Sequence, residues 1–160
     1  MAEYFKALNA DHVAFIDAQS MFFVPTADAD SPINVSPKGV DSLRILDDKR
    51  LVWMSLTGRG NETYAHLQSK PRVTLMWCTF AEQPLILRVY GNAKRILPSD
   101  DAFSDYGVLM PEQLGTRQFF VMDIEVAQTP CGWAASEMQL VRERPTLTKF
   151  AQNLGVEKIQ

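Results

Sequence analysis

The sequence predicts a small antiparallel β-barrel of five or six strands with peripheral helices, a mainly β chain of the α+β kind. Three observations carry this. Short apolar runs with strand periodicity recur along the chain and are separated by turns rather than long crossovers. One run, Val73–Phe80, is apolar on both faces: Val73, Leu75 and Trp77 alternate with Thr74, Met76, Cys78 and Phe80. Such a strand needs cover on each side, a barrel interior on one and a helix or another subunit on the other. The longest run, Leu85–Arg95, carries Gly91 in its middle, where a closing barrel requires a bend or bulge.

The elements follow in order. Residues 9–20 read as a helix capped by Asn9 or Asp11, with Val13, Phe15 and Ile16 on a loosely apolar face. Met21–Val24 is a short strand that Pro25 is expected to stop, and Thr26–Pro32 is an acidic loop. Ile33–Val35 is the next strand, expected to end at Ser36-Pro37-Lys38-Gly39 and to pair antiparallel with the one before. Leu43–Leu46 is a brief strand or bridge, and Asp47-Asp48 a turn. Arg50–Leu56 is a strand with Leu51, Trp53 and Ser55 on one face and Val52, Met54 and Leu56 on the other.

A Thr-Gly-Arg-Gly turn leads to a short helix, Glu62–Gln68. Val73–Phe80 and Leu85–Arg95 come next, joined by Ala81–Pro84. Ser99 is read as the cap of a helix faced by Phe103, Tyr106 and Leu109. Phe119–Val126 is the last strong strand, after a Pro111–Thr116 loop, and the pattern turns irregular from Pro130. Leu147, Phe150, Ala151 and Leu154 fall at i, i+3, i+4 and i+7 of a final helix that Gly155 stops.

With 160 residues, 46% of them hydrophobic, the chain suffices for one domain, residues 1–160, with a real core. A net charge of −3 gives no general attraction to nucleic acid or to an anionic membrane. Cys78 and Cys131 make no disulfide framework, which points to a cytoplasmic protein with Cys78 as a small core hydrophobe. His12 and His66 lack partners at metal-ligand spacing, so no metal site is expected. No leader-like apolar segment or membrane-spanning run is visible.

Two turns carry the chemistry. In Ser36-Pro37-Lys38-Gly39, a cation, Lys38, sits between Pro37, whose φ is fixed, and Gly39, which permits close backbone approach, with a hydroxyl at Ser36. That suits an electron-rich ligand at a sheet edge, although a solvated turn lysine accounts for the same residues. In Ser55-Leu56-Thr57-Gly58-Arg59-Gly60-Asn61-Glu62-Thr63, an arginine lies between glycines just before a helix, with hydroxyl and amide groups around it. Free N–H groups and the helix dipole favour an anion there, and a guanidinium matches phosphate oxygens two at a time. The plainer account is a glycine turn with Asn61 or Thr63 as N-cap.

Taken together, Asn34-Val35-Ser36-Pro37-Lys38-Gly39, Thr57-Gly58-Arg59-Gly60-Asn61-Glu62-Thr63 with His66-Leu67, Leu87-Arg88-Val89-Tyr90-Gly91 and Cys131-Gly132-Trp133 resemble one family in that order. It is the pyridoxamine 5′-phosphate oxidase-like group of flavin mononucleotide (FMN)-binding split-barrel proteins. The similarity runs from about Asn9 to about Leu154.

The resemblance implies a six-stranded antiparallel split barrel that forms a homodimer, with FMN in a groove at the subunit interface. It implies that Ser36, Pro37, Lys38 and Gly39 border the ring system, and that Thr57, Arg59 and Asn61, in the stretch opened by Ser55, hold the phosphate. Gln83 matches a polar flavin contact of related oxidases, and Trp133 an aromatic near the ring from the partner chain; a solvated turn residue and an interface aromatic are the alternatives. The late Arg-x-His element with which true pyridoxamine 5′-phosphate oxidases grip their substrate is missing, so the vitamin B6 reaction is not implied. The implied activity is an FMN-dependent oxidoreductase acting on a small-molecule redox substrate, in which the cofactor supplies the chemistry and no triad is needed. Other readings are a flavin-binding or sensing module without turnover, or the same fold holding deazaflavin or haem.

Overall fold

A computed structural model of the chain describes residues 2–39, 41–58 and 61–154. Among these residues eight strands form one antiparallel sheet: β1 (Glu3–Phe5), β2 (Phe22–Thr26), β3 (Asn34–Lys38), β4 (Leu43–Asp47), β5 (Arg50–Leu56), β6 (Arg72–Cys78), β7 (Ile86–Ile96) and β8 (Thr116–Thr129). Four helices among the same residues accompany them: α1 (Ala10–Asp17), α2 (Glu62–Ser69), α3 (Ala102–Gly107) and α4 (Thr146–Leu154). The strand order is β3-β2-β6-β7-β8-β5-β4, with β1 added along the end of β8. Among the described residues no ladder joins β3 to β4, so the curled sheet is a barrel split along that seam.

The core lies on both sides of this sheet. Leu51, Trp53, Leu75, Trp77, Leu87, Val89, Phe120 and Met122 fill the concave face. Val52, Met54, Phe119 and Val121 point outward and are covered by Phe103 and Tyr106 of α3. Thus β5 is buried on both faces within one chain. The outward face of β6 is different: Thr74, Met76 and Cys78 stay half-exposed. Cys78 is accordingly not a fully buried core residue.

At one end of the barrel, α1 contributes Ile16, and Leu8 just before it, to the core. Asn9 caps the helix by accepting the His12 N–H at 2.9 Å, while His12 Nδ1 accepts the Asn9 N–H at 3.2 Å. This reciprocal pair ordinarily uses Glu or Gln at the third position. The helix ends at Asp17 rather than running to residue 20.

Gly91 marks a register shift between β7 and β8, as the barrel bend requires. Several boundaries differ from expectation. Pro25 does not stop β2; it lies within it opposite Val35, two residues beyond the single bridge to β6 at Phe23–Met76. Nor does Ser36-Pro37-Lys38 end β3; it is the second half of that strand, with Pro37 opposite Phe23. Because β3 is the sheet's edge, a missing N–H is tolerated there. Ser99 does not cap α3, which starts at Ala102 after Asp101. Strand β8 is longer than its apolar run because it serves β7 along residues 119–128, β5 with its first half and β1 with its last residues. Among the described residues no helix is long and apolar enough to cross a membrane.

Candidate functional site

The two chemistry-bearing stretches meet in space. A pocket of about 260 Å³ is walled on one side by Ser36, Pro37, Lys38 and Gly39, and on the other by Ser55, Thr57, Gly58 and Asn61. The fold makes this meeting unavoidable. Strand β3 is one lip of the split, and β5 delivers its last residues to the same end, where α2 begins. Burial of Thr63 and His66 seats α2 against β2 and β3. Arg59 and Gly60, the centre of the second stretch, lie outside the described residues.

Three further contacts shape the rim. Thr57 N donates to Gly115 O at 2.6 Å, which closes the end of β5 onto the turn before β8. Gln118 Nε2 donates to Asn61 Oδ1 at 2.9 Å. Asn61 is thus held by β8, and its side chain makes no helix-cap bond. Arg117, next to Gln118, donates to Gly58 O at 2.6 Å and also lines the pocket.

Lys38 and Arg117 therefore face one cavity whose carboxylate among the described lining residues is Glu62. Burial holds the Lys38 ammonium below its ordinary pKa, the Arg117 charge pushes the same way, and Glu62 opposes both. Ser42, also on the wall, is 4% exposed, and its Oγ has no hydrogen-bond partner among the described residues. Concentrated positive charge and an unsatisfied buried hydroxyl fit an anionic ligand that also carries polar ring atoms. The residues present therefore fit a flavin phosphate ester.

A larger groove of about 1180 Å³ between α1 and β4 shares Gly39 and Ser42 with this pocket. Its described lining holds Asp17, Asp47, Asp48 and Glu143, and its cation, Arg44, is gripped by Asp41. That charge balance suits no phosphate, so of the two cavities the smaller is the one whose lining fits an anion.

Of the residues singled out in the sequence, Ser36, Pro37, Lys38, Gly39, Ser55, Thr57 and Asn61 come together. Gln83 and Trp133 are exposed and line neither cavity within one chain. Arg117, Glu62, Ser42 and Leu147 were missed. In the β5–β8 register Ser55 lies opposite Gln118 and Leu56 opposite Thr116, which leaves Arg117 at the register shift between them, a pairing not written in either strand alone. Among the described residues no cluster of three His, Cys, Asp or Glu could hold a metal ion.

Comparisons with known proteins agree with this architecture. The sequence profile of the family described as pyridoxamine 5′-phosphate oxidase matches residues 8–131. A pyridoxamine 5′-phosphate oxidase family protein of Aspergillus flavus, ustO, is 31% identical over 95% of this chain and 68% of its own length. A Lactobacillus delbrueckii structure provisionally assigned as a pyridoxamine 5′-phosphate oxidase superposes with a TM-score of 0.63 at 20% identity, covering 77% of this chain and 94% of the other. An FMN-binding protein of Syntrophomonas wolfei gives 0.51 at 17% identity, covering 77% and 79%. The FAD-binding protein of Mycobacterium smegmatis gives 0.56 at 12%, covering 79% and 98%. With its split antiparallel barrel and matching profile, the chain belongs to the pyridoxamine 5′-phosphate oxidase family.

Proposed function

We propose that this protein binds FMN in the pocket between β3, the end of β5 and the start of α2, and works as a homodimeric oxidoreductase on a small-molecule redox substrate. The observation that carries the reading is that Lys38 and Arg117 line one small cavity, where burial and the Arg117 charge disfavour the Lys38 ammonium and an anionic ligand would offset both. Thr57, Asn61 and Arg59 would hold the phosphate, and the Ser36–Gly39 edge would border the ring. The FMN- and FAD-binding neighbours on the same fold support a flavin.

The pocket's size supports a second chain. At about 260 Å³ it falls below the roughly 300–1,000 Å³ of cavities that enclose a drug-sized ligand. A partner subunit would complete it, and Gln83 and Trp133 would reach the ring only from there. Exposed Trp133, Met138, Leu140 and Val141 form an apolar segment of the kind a second subunit covers. Two free cysteines support a reducing, cytoplasmic setting.

Bound flavin would supply the two-electron chemistry. The chain's part is to neutralise the phosphate, to hold a cation near the ring through Lys38, and to exclude water with the β3 edge. The test is an absorption spectrum of the purified protein followed by titration of the apoprotein with FMN. Stoichiometric binding that weakens ten- to over a hundred-fold in Arg59→Ala is expected, since a charge-assisted bond contributes about 1.5–3 kcal/mol. A colourless protein indifferent to FMN would remove the reading. Oxidation of a nicotinamide donor by the loaded protein would separate an enzyme from a flavin store.

A further inference from the structure

A chain of polar side chains runs behind the pocket and ends at Ser36. Ser31 Oγ lies 2.8 Å from His66 Nε2, and His66 Nδ1 lies 3.0 Å from Thr26 Oγ1. Asn34 Nδ2 donates to Thr26 Oγ1 and to Thr63 Oγ1, each at 3.3 Å. Ser36 Oγ donates to Asn34 Oδ1 at 3.0 Å. Thr26, Thr63 and His66 are buried, so water does not compete for the His66–Thr26 bond.

The direction at Ser36 follows from counting protons. A hydroxyl has one proton to give, and an amide oxygen can only accept. The Asn34 amide points its NH2 group at Thr26 and Thr63 and its oxygen at Ser36. Thr26 accepts from Asn34 with one lone pair and keeps a second lone pair and its own proton for His66, so either His66 tautomer leaves Asn34 as it is. Ser36 donates its proton to Asn34, and its oxygen offers only lone pairs to the pocket it lines.

We infer that Asn34, its amide held by Thr26 and Thr63, fixes Ser36 as a hydrogen-bond acceptor toward the pocket, so that the pocket favours the flavin form with the extra ring N–H, the reduced one. This rests on the flavin reading above. Asn34 and Thr26 are positioning residues, and neither lines the pocket.

The test compares the affinities of oxidised and reduced FMN, through the reduction potential of the bound flavin against a reference dye. The variants are Ser36→Ala, which removes the acceptor, and the near-isosteric Thr26→Val, which removes one of the two hydroxyls that hold the Asn34 amide. Ser36→Ala should weaken reduced FMN three- to tenfold relative to oxidised FMN, a potential up to about 30 mV more negative for a two-electron couple. Thr26→Val should move it the same way by less. A residue that only supports the fold would weaken both forms equally and leave the potential where it was, and that result in both variants overturns the inference alone. A parent protein that binds no FMN overturns the flavin reading and the inference with it.

Discussion

Gly91 passes so close to Asp123 that a β-carbon on it would stand 2.0 Å from the Asp123 carbonyl oxygen. The β7–β8 register shifts at this point, so the contact is where the barrel bends. Gly91→Ala must push two central strands apart. Overpacking of this kind costs about 1–3 kcal/mol, and a backbone neighbour that cannot move aside puts this case at the upper end. Thermal unfolding should show a Tm lowered by several degrees or more; a Tm equal to the parent's means that the strands part freely and the bend is not fixed there.

Lys38 should make FMN binding depend on pH in the alkaline range. Its folded-state pKa is lowered, first by burial and then by Arg117. As pH rises between that value and the ordinary one, the folded apoprotein has lost the proton that the unfolded chain still holds, so this residue's contribution to stability increases with pH. Lys38 acts beside the flavin through its charge, so FMN affinity should fall over the same window and FMN binding should take up a proton. In Lys38→Met both pH dependences should flatten. Titration calorimetry in buffers of different ionisation enthalpy measures the proton directly; no uptake in the parent removes Lys38 from the flavin's surroundings.

The α1 cap should be acid-sensitive. Burial lowers the His12 pKa, with Asp11 opposing, and the neutral ring accepts the Asn9 N–H. Below the unfolded chain's histidine pKa, the unfolded state binds a proton that the folded state refuses, so stability falls as pH falls. His12→Gln keeps an acceptor at this position and should lessen the acid loss. Urea midpoints at neutral and mildly acid pH compare the two; equal acid loss in both would locate the sensitivity elsewhere.

Val141 is 89% exposed and Trp133 83% exposed on a segment without helix or strand, tied back by Met138 N donating to Phe80 O at 2.9 Å. If this segment docks on a second copy, Val141→Asp should shift sedimentation equilibrium from dimer toward monomer and weaken FMN binding. A parent protein that sediments as a monomer at micromolar concentration would rule out the interface.

Much of this was legible in the chain itself. Alternation in 50–56, 73–80 and 85–95 identified the central strands because one face of each must leave water, and Gly91 announced the bend because only glycine allows so close an approach. The paired stretches around Lys38 and Thr57 were recognisable from residue chemistry alone. Proline misled at residues 25 and 37: it forbids a donor, but whether a donor is needed depends on which neighbour a strand acquires. Strand β1 stayed hidden because three residues carry no period, and it exists only by pairing with the end of β8. Arg117 joined Lys38 through the β5–β8 register, and Thr26 and Thr63 reached Ser36 through the Asn34 amide. Local sequence determines which segments bury a face and which turns can hold charge. Which residues share a pocket, and which way a hydroxyl points within it, is decided by strand partners far away in the chain.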